Sequence, residues 1–149
     1  MAQMIQDYAP AYTPDQLKFD KFRSSFADKS HYVWTVYDSS MDQLIVRLID
    51  PSIAASEYYI TDSLALLVRD YDRQVVGYTI CDFQSEFLPK APKLEQGWKA
   101  GNLEEKWQKY SKQKYEPKAR QAPRQTEQHI FKYSAFQIKG SAEAELVPA

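Results

Sequence analysis

Four times between His31 and Ile80 a run of β-branched and aromatic residues is bounded by a short polar break, and this alternation constrains the fold more than any other feature. "HYVWTVY" (31–37) and "QLIVRLI" (43–49) flank "DSSMD", whose Asp and Ser side chains supply turn chemistry. "LALLVRD" (64–70) and "QVVGYTI" (74–80) flank Tyr71-Asp72-Arg73, and "SEYYITDS" adds a shorter run near 57–61. Asp50-Pro51 closes the second run, because proline has no N–H to give to a strand ladder. Side chains two apart on a strand share a face, so these runs predict half-buried strands joined by tight bends. The expected fold class is α+β: an antiparallel β-meander of four to five strands with an N-terminal helix over one face.

The helix is predicted over 14–27 in "TPDQLKFDKFRSSFAD". Thr13 and Gln16 have capping-box spacing, Pro14 suits the first helical position, and Phe19, Phe22 and Phe26 form one apolar stripe. Residues 1–12 read as an arm, and 13–88 as the α+β sheet domain. Residues 89–124 read as a basic extension, with a proline- and glycine-containing linker leading to a short helix in "NLEEKWQKYSKQKY" (102–115). There Asn102 and Glu105 have capping-box spacing, and Lys109, Lys112 and Lys114 sit near the negative end of the helix dipole. Pro117 ends that helix and "EPKARQAPRQTEQ" reads as extended. In 125–149, "HIFKYSAFQI" (129–138) has the β-formers for one more strand before a frayed end.

A net charge of −1 over 149 residues conceals an uneven distribution. Residues 1–88 hold seven Lys/Arg against thirteen Asp/Glu, a balance of −6, whereas 89–124 hold ten against four, a balance of +6. Apolar residues at 44% and charged residues at 26% suit a globular chain, and the eleven tyrosines suit half-buried sheet faces and interfaces. The chain shows neither a leader pattern nor a stretch able to cross a bilayer, which makes a cytoplasmic location the expectation.

Within the hairpins, "VYDSSMDQLIVRL" (36–48) followed by "LLVRDYDRQVVGYTI" (66–80) resembles the small bacterial domain of unknown function DUF2283. The matching positions are Tyr37, Asp38, Leu44, Val46, Arg47, Leu48, Asp70, Tyr71, Asp72, Val75, Val76, Gly77 and Ile80, within residues 32–83. The resemblance implies a fold often associated with self-association, and no reaction.

Candidate chemistry is sparse. Asp70 and Asp72 flank Tyr71 where the strand pattern pauses, so a bend is favoured over a catalytic acid pair, which needs a cleft and one raised pKa. Neither G-x-x-x-x-G-K nor G-x-G-x-x-G, the glycine patterns that cradle phosphates, occurs. His31 and His129 make no zinc motif on their own, and Cys81, the only cysteine, reads as a small residue at the end of a strand. No catalytic residue, metal or cofactor is therefore expected.

The expected activity is non-enzymatic: a self-associating accessory module that engages a larger complex or an acidic protein partner. Trp98, Trp107, Tyr110, Tyr115, Lys106, Lys109 and Lys112 are the expected partner-binding residues. If Leu44, Val46 and Leu48 face the core, Ile45, Arg47 and Ile49 lie on the other face. That face is covered either by a helix or by a second subunit. Nucleic-acid binding by the same basic, aromatic extension is the alternative, since lysines can neutralise phosphates while rings stack on bases.

Overall fold

The structure, a computed structural model, describes residues 16–27, 30–116 and 122–146. The strands are β1 (His31–Asp38), β2 (Gln43–Arg47), β3 (Ser56–Tyr59), β4 (Leu64–Arg69), β5 (Gln74–Cys81) and β6 (Ser111–Tyr115). They form one six-stranded antiparallel sheet in the order β3-β4-β5-β2-β1-β6. Helix α1 (Asp20–Ser25) precedes the sheet, α2 (Pro92–Ala100) and α3 (Leu103–Lys106) lie between β5 and β6, and α4 (Ala122–Leu146) follows β6. The α+β class agrees with the sequence, with six strands in place of four to five.

The two tight bends follow from aspartate. Asp38 accepts hydrogen bonds from Ser40 N–H, Ser40 Oγ and Met41 N–H, which folds β1 back onto β2. Asp72 takes both Arg69 Nε (3.1 Å) and Nη2 (2.7 Å), accepts from Gln74 N–H, and leaves Tyr71 80% exposed at the tip. Asp70 accepts from Ser56 Oγ. Asp-Tyr-Asp is a bend between paired strands.

The sheet is not a simple meander, which corrects the sequence reading. β2 pairs with β5, while β3 lies at the far edge beyond β4. The loop after β2 carries the chain across: Arg47 Nη2 donates to the carbonyls of Asp50 and Ile53, and Asp50 accepts from Ser52 N–H. One row of the pleat consequently runs Glu57–Leu67–Gly77–Arg47–Trp34–Lys112 across all six strands.

Helix α1 is shorter than the predicted 14–27, and Thr13 and Pro14 lie outside the described residues. Lys18 N–H donates to Arg73 O, and Val75 N–H donates to Lys18 O. Backbone groups tied to the β4–β5 turn cannot also enter the i to i−4 ladder, so the helix starts at Asp20. The apolar stripe still acts as expected: Phe22 is buried and lies 6.2 Å from the Tyr78 ring, and Phe26 lies 5.4 Å from Tyr115.

The C-terminal part departs most from expectation. The "linker" winds into α2, with Pro92 at its start and Leu94 and Trp98 buried. The helix predicted over 102–115 stops after one turn; Leu103 and Trp107 turn inward and Ser111–Tyr115 becomes β6 beside β1. The strand expected at 129–138 lies within α4, where Ile130, Phe131, Ser134, Ala135 and Ile138 are buried at helical spacing. Tyr78 Oη meets Ser134 Oγ at 2.6 Å and so ties α4 to β5. The division at residue 88 leaves no gap in the core, which runs from Phe22 and Val46 to Trp107 and Ile138.

Candidate docking surface

Residues 83–107 are held to the first hairpin by one polar hub. Asp42, in the left-handed region at φ 52°, accepts from Tyr37 Oη (2.6 Å), Gln84 N–H (2.7 Å) and Ser85 N–H (3.1 Å). Gln84 Nε2 donates to Tyr37 Oη and Glu104, while Gln84 Oε1 accepts from Trp98 Nε1. Burial works to raise the Asp42 pKa, but the hydrogen bonds from Tyr37, Gln84 and Ser85 outweigh it and hold the carboxyl below its ordinary value. Burial, together with donation to Asp42, raises that of Tyr37. The hub ties the start of β2 to residues 83–107 and acts as a latch.

The latch should be acid-sensitive. A carboxyl whose folded pKa is depressed contributes stability that is present above its unfolded value of 3.8 and is lost as the pH falls beneath it. Asp42→Asn should therefore lower stability at neutral pH and flatten its fall in acid, as followed by urea unfolding at several pH values. An acid limb as steep as that of the parent chain would show that Asp42 does not carry it.

His31 and Cys81 are also packed against neighbours. The His31 ring packs 5.9 Å from Phe26 and 5.0 Å from Tyr115. Burial raises the Cys81 thiol pKa, and Gln43 Nε2 lies 3.6 Å from its sulfur. This is the opposite of thiolate activation. Among the described residues, no group of three or more His, Cys, Asp or Glu side chains is placed to hold a metal ion.

Of the expected partner-binding residues, Trp98, Trp107 and Tyr115 are each 1% exposed and belong to the core, which removes them as surface anchors. Trp98 meets Trp107 edge-on at 5.6 Å, and Trp107 stacks on Phe131 at 5.8 Å. Lys106, Lys109, Lys112 and Tyr110 remain exposed. The Lys112 ammonium lies 4.5 Å from the Tyr32 ring centroid and 5.5 Å from that of Trp34. The expected self-association set is also dispersed: Ile49 is buried, Arg47 is 8% exposed and holds its own loop, and only Ile45 is half-buried. A residue committed to its own loop is a poor rim residue for a second subunit.

The structure assembles a different apolar surface on α4. Helical winding that buries Ile130, Phe131, Ser134 and Ile138 turns His129, Lys132, Phe136 and Lys139 outward at i, i+3, i+7 and i+10. Phe136 is 72% exposed. On one side lies a hollow of about 800 Å³, lined by Pro92, Lys93, Leu94, His129, Tyr133 and Phe136 among others. On the other side a hollow of about 400 Å³ is lined by Phe22, Arg23, Phe26, Tyr115 and Ala135, and it shares Lys132 and Phe136 with the first. The two hollows therefore lie side by side across α4, one toward α1 and one toward the start of α2, as the halves of a trough.

Sequence reasoning misses Phe136 because 129–138 reads as a strand. The signal that could have found it is the spacing of Ile130, Phe131, Ser134, Ala135 and Ile138, which repeats every three to four residues and not every two.

Comparison with known proteins returns no match: no protein family, curated protein or solved structure matches the chain. The DUF2283 resemblance therefore rests on its quoted residues alone. Among the described residues no helix is long and apolar enough to cross a membrane.

Proposed function

We propose that the chain is a non-enzymatic protein-interaction module that engages its partner through the α1–α4–α2 trough, with Phe136 as the anchor. The exposure of Phe136 between two apolar hollows carries this reading. Large aromatic side chains fixed on a helix concentrate binding energy, and contiguous exposed apolar surface marks interaction sites. The residues differ from those the sequence proposed: Phe136 lies beyond the 89–124 extension, and Phe22, Arg23 and Phe26 come from the N-terminal part of the chain. Nucleic-acid binding is the second reading, favoured by Tyr32 and Trp34 beside Lys112 on the β1–β6 side of the sheet. It ranks lower because Asp50 lies close enough to Lys112 to feel its charge, and because that ammonium already covers the rings.

With a photo-reactive phenylalanine analogue at position 136, we expect crosslinking to a discrete protein. Excess parent chain should compete for that protein and excess Phe136→Glu chain should not. Absence of a competed crosslink overturns the reading, and a nuclease-sensitive product favours the nucleic-acid alternative.

A further inference from the structure

Resting on that reading, we infer that the trough takes an acidic amphipathic helix, with bulky apolar residues on one face and carboxylates flanking them. Three observations converge on this occupant.

The first is charge. Lys93 borders the hollow on the α2 side and Arg23 the hollow on the α1 side. The residues lining either hollow include no carboxylate. In a two-fold pairing of this surface with a second copy, Lys93 of one copy would be set against Arg23 of the other, like charge against like. Such like-charge placement disfavours the pairing. An acidic partner turns the same charges into steering and selectivity.

The second is hydrogen bonding. An extended peptide needs partners for its backbone N–H and C=O groups, as it finds along a sheet edge. The trough lies among α1, α4 and the start of α2, with only Tyr115 contributed by a strand, and its lining is dominated by apolar side chains from Phe22, Phe26, Pro92, Leu94 and Phe136. Of the two edge strands, β6 is partly closed by Gln128, which accepts from Glu116 N–H (2.7 Å) and donates to Lys114 O (3.1 Å). A helix satisfies its own backbone and needs only an apolar groove.

The third is shape. Phe136 divides the trough into two unequal hollows, so the occupant must present an apolar group on each side of that ring. Residues at i and i+3 or i+4 of a helix do this from one face.

The test uses the full chain and labelled helical peptides of about fifteen residues, a length at which helices are marginal alone and order on binding. All carry the same apolar stripe; their flanks are Glu, Gln or Lys, and a fourth is the Glu peptide broken by a central proline. We expect the Glu peptide to bind and to weaken as salt rises. Phe136→Ala should reduce affinity roughly tenfold or more, as expected for a hot-spot aromatic. Lys93→Glu and Arg23→Glu should each reduce it severalfold, and Tyr71→Ala, at the β4–β5 bend, should leave it unchanged.

Equal binding of the Gln and Glu peptides would overturn the acidic preference while leaving the docking surface intact. Equal binding of the proline-broken peptide would overturn the helix. A dimer of the parent chain that Phe136→Ala dissolves would make a second copy the occupant and end the inference. If no peptide binds, the inference fails, and the crosslink at position 136 decides separately whether the surface docks any protein.

Discussion

Gly77→Ala should sharply lower the stability of the folded chain. A Cβ built at Gly77 would lie 2.4 Å from Val46 O, 3.0 Å from Leu67 Cδ1 and 3.1 Å from Arg47 Cα. Two of those three contacts are backbone atoms of the neighbouring strand β2, and β5 is an inner strand held on both sides, so neither can yield cheaply. Overpacking a core commonly costs 1–3 kcal/mol; with backbone in the way we expect about 3 kcal/mol or more, a large part of a typical domain's stability. The urea midpoint should fall steeply with the slope unchanged. Gly140→Ala is the comparison: nothing lies within 4 Å of a Cβ there, and in the interior of α4 alanine should add up to about 1 kcal/mol. Equal midpoints for the two variants would refute the β2–β5 pairing.

Trp107→Ala should act on stability and only secondarily on binding. The ring is almost wholly buried, stacked on Phe131 and edge-on to Trp98, and the Trp107 carbonyl accepts from Tyr37 N–H at 2.7 Å. With the Gln113 amide turned so that its oxygen meets the indole N–H, Gln113 also donates to Glu127 (3.0 Å), so the polar edge of the ring is satisfied as well. Removing a buried tryptophan side chain costs about 3–5 kcal/mol. Thermal and urea unfolding should show that loss together with a collapsed near-ultraviolet signal, while Lys109→Ala, on an exposed side chain, should match the parent. A stable Trp107→Ala chain with weakened partner binding would restore the tryptophan as a surface anchor.

The hairpins were legible in the sequence because their causes are local. Asp38 and Asp72 fold the chain through bonds to residues two or three positions away, and the strands between them alternate. Strand order was not legible. Nothing in "QLIVRLI" states that its second neighbour is 74–81 and not 56–59; the trace it leaves is the glycine opposite Arg47, which makes sense only once the two strands lie side by side. β6 was hidden for a different reason. In "SKQKY" the outward positions are lysines and two of the three inward positions are Ser111 and Gln113, so the period of two is carried by charge and not by hydrophobicity. In α4, the β-forming preference of Ile130, Phe131 and Ile138 was outweighed by burial at helical spacing. The tryptophans read as surface anchors because residues 89–124 read as an extension beyond the sheet domain; the structure shows that the extension supplies part of the core. Phe136 could emerge only after that helix was wound.

The position of β6 governs when this molecule can fold. β1, made early, lies between β2, which follows it directly, and a strand some eighty positions later in the chain. Tyr78 waits for Ser134 in the same way, 56 residues on. A nascent chain that has emerged only through the first five strands still lacks Trp98, which packs on Tyr37, and the α4 residues that pack on Tyr78. Contacts of such long sequence separation are slow to form, because a large loop must close before they contribute. Synthesis therefore runs ahead of folding, and the exposed apolar sheet of the half-made chain is the state a chaperone or a protease meets first.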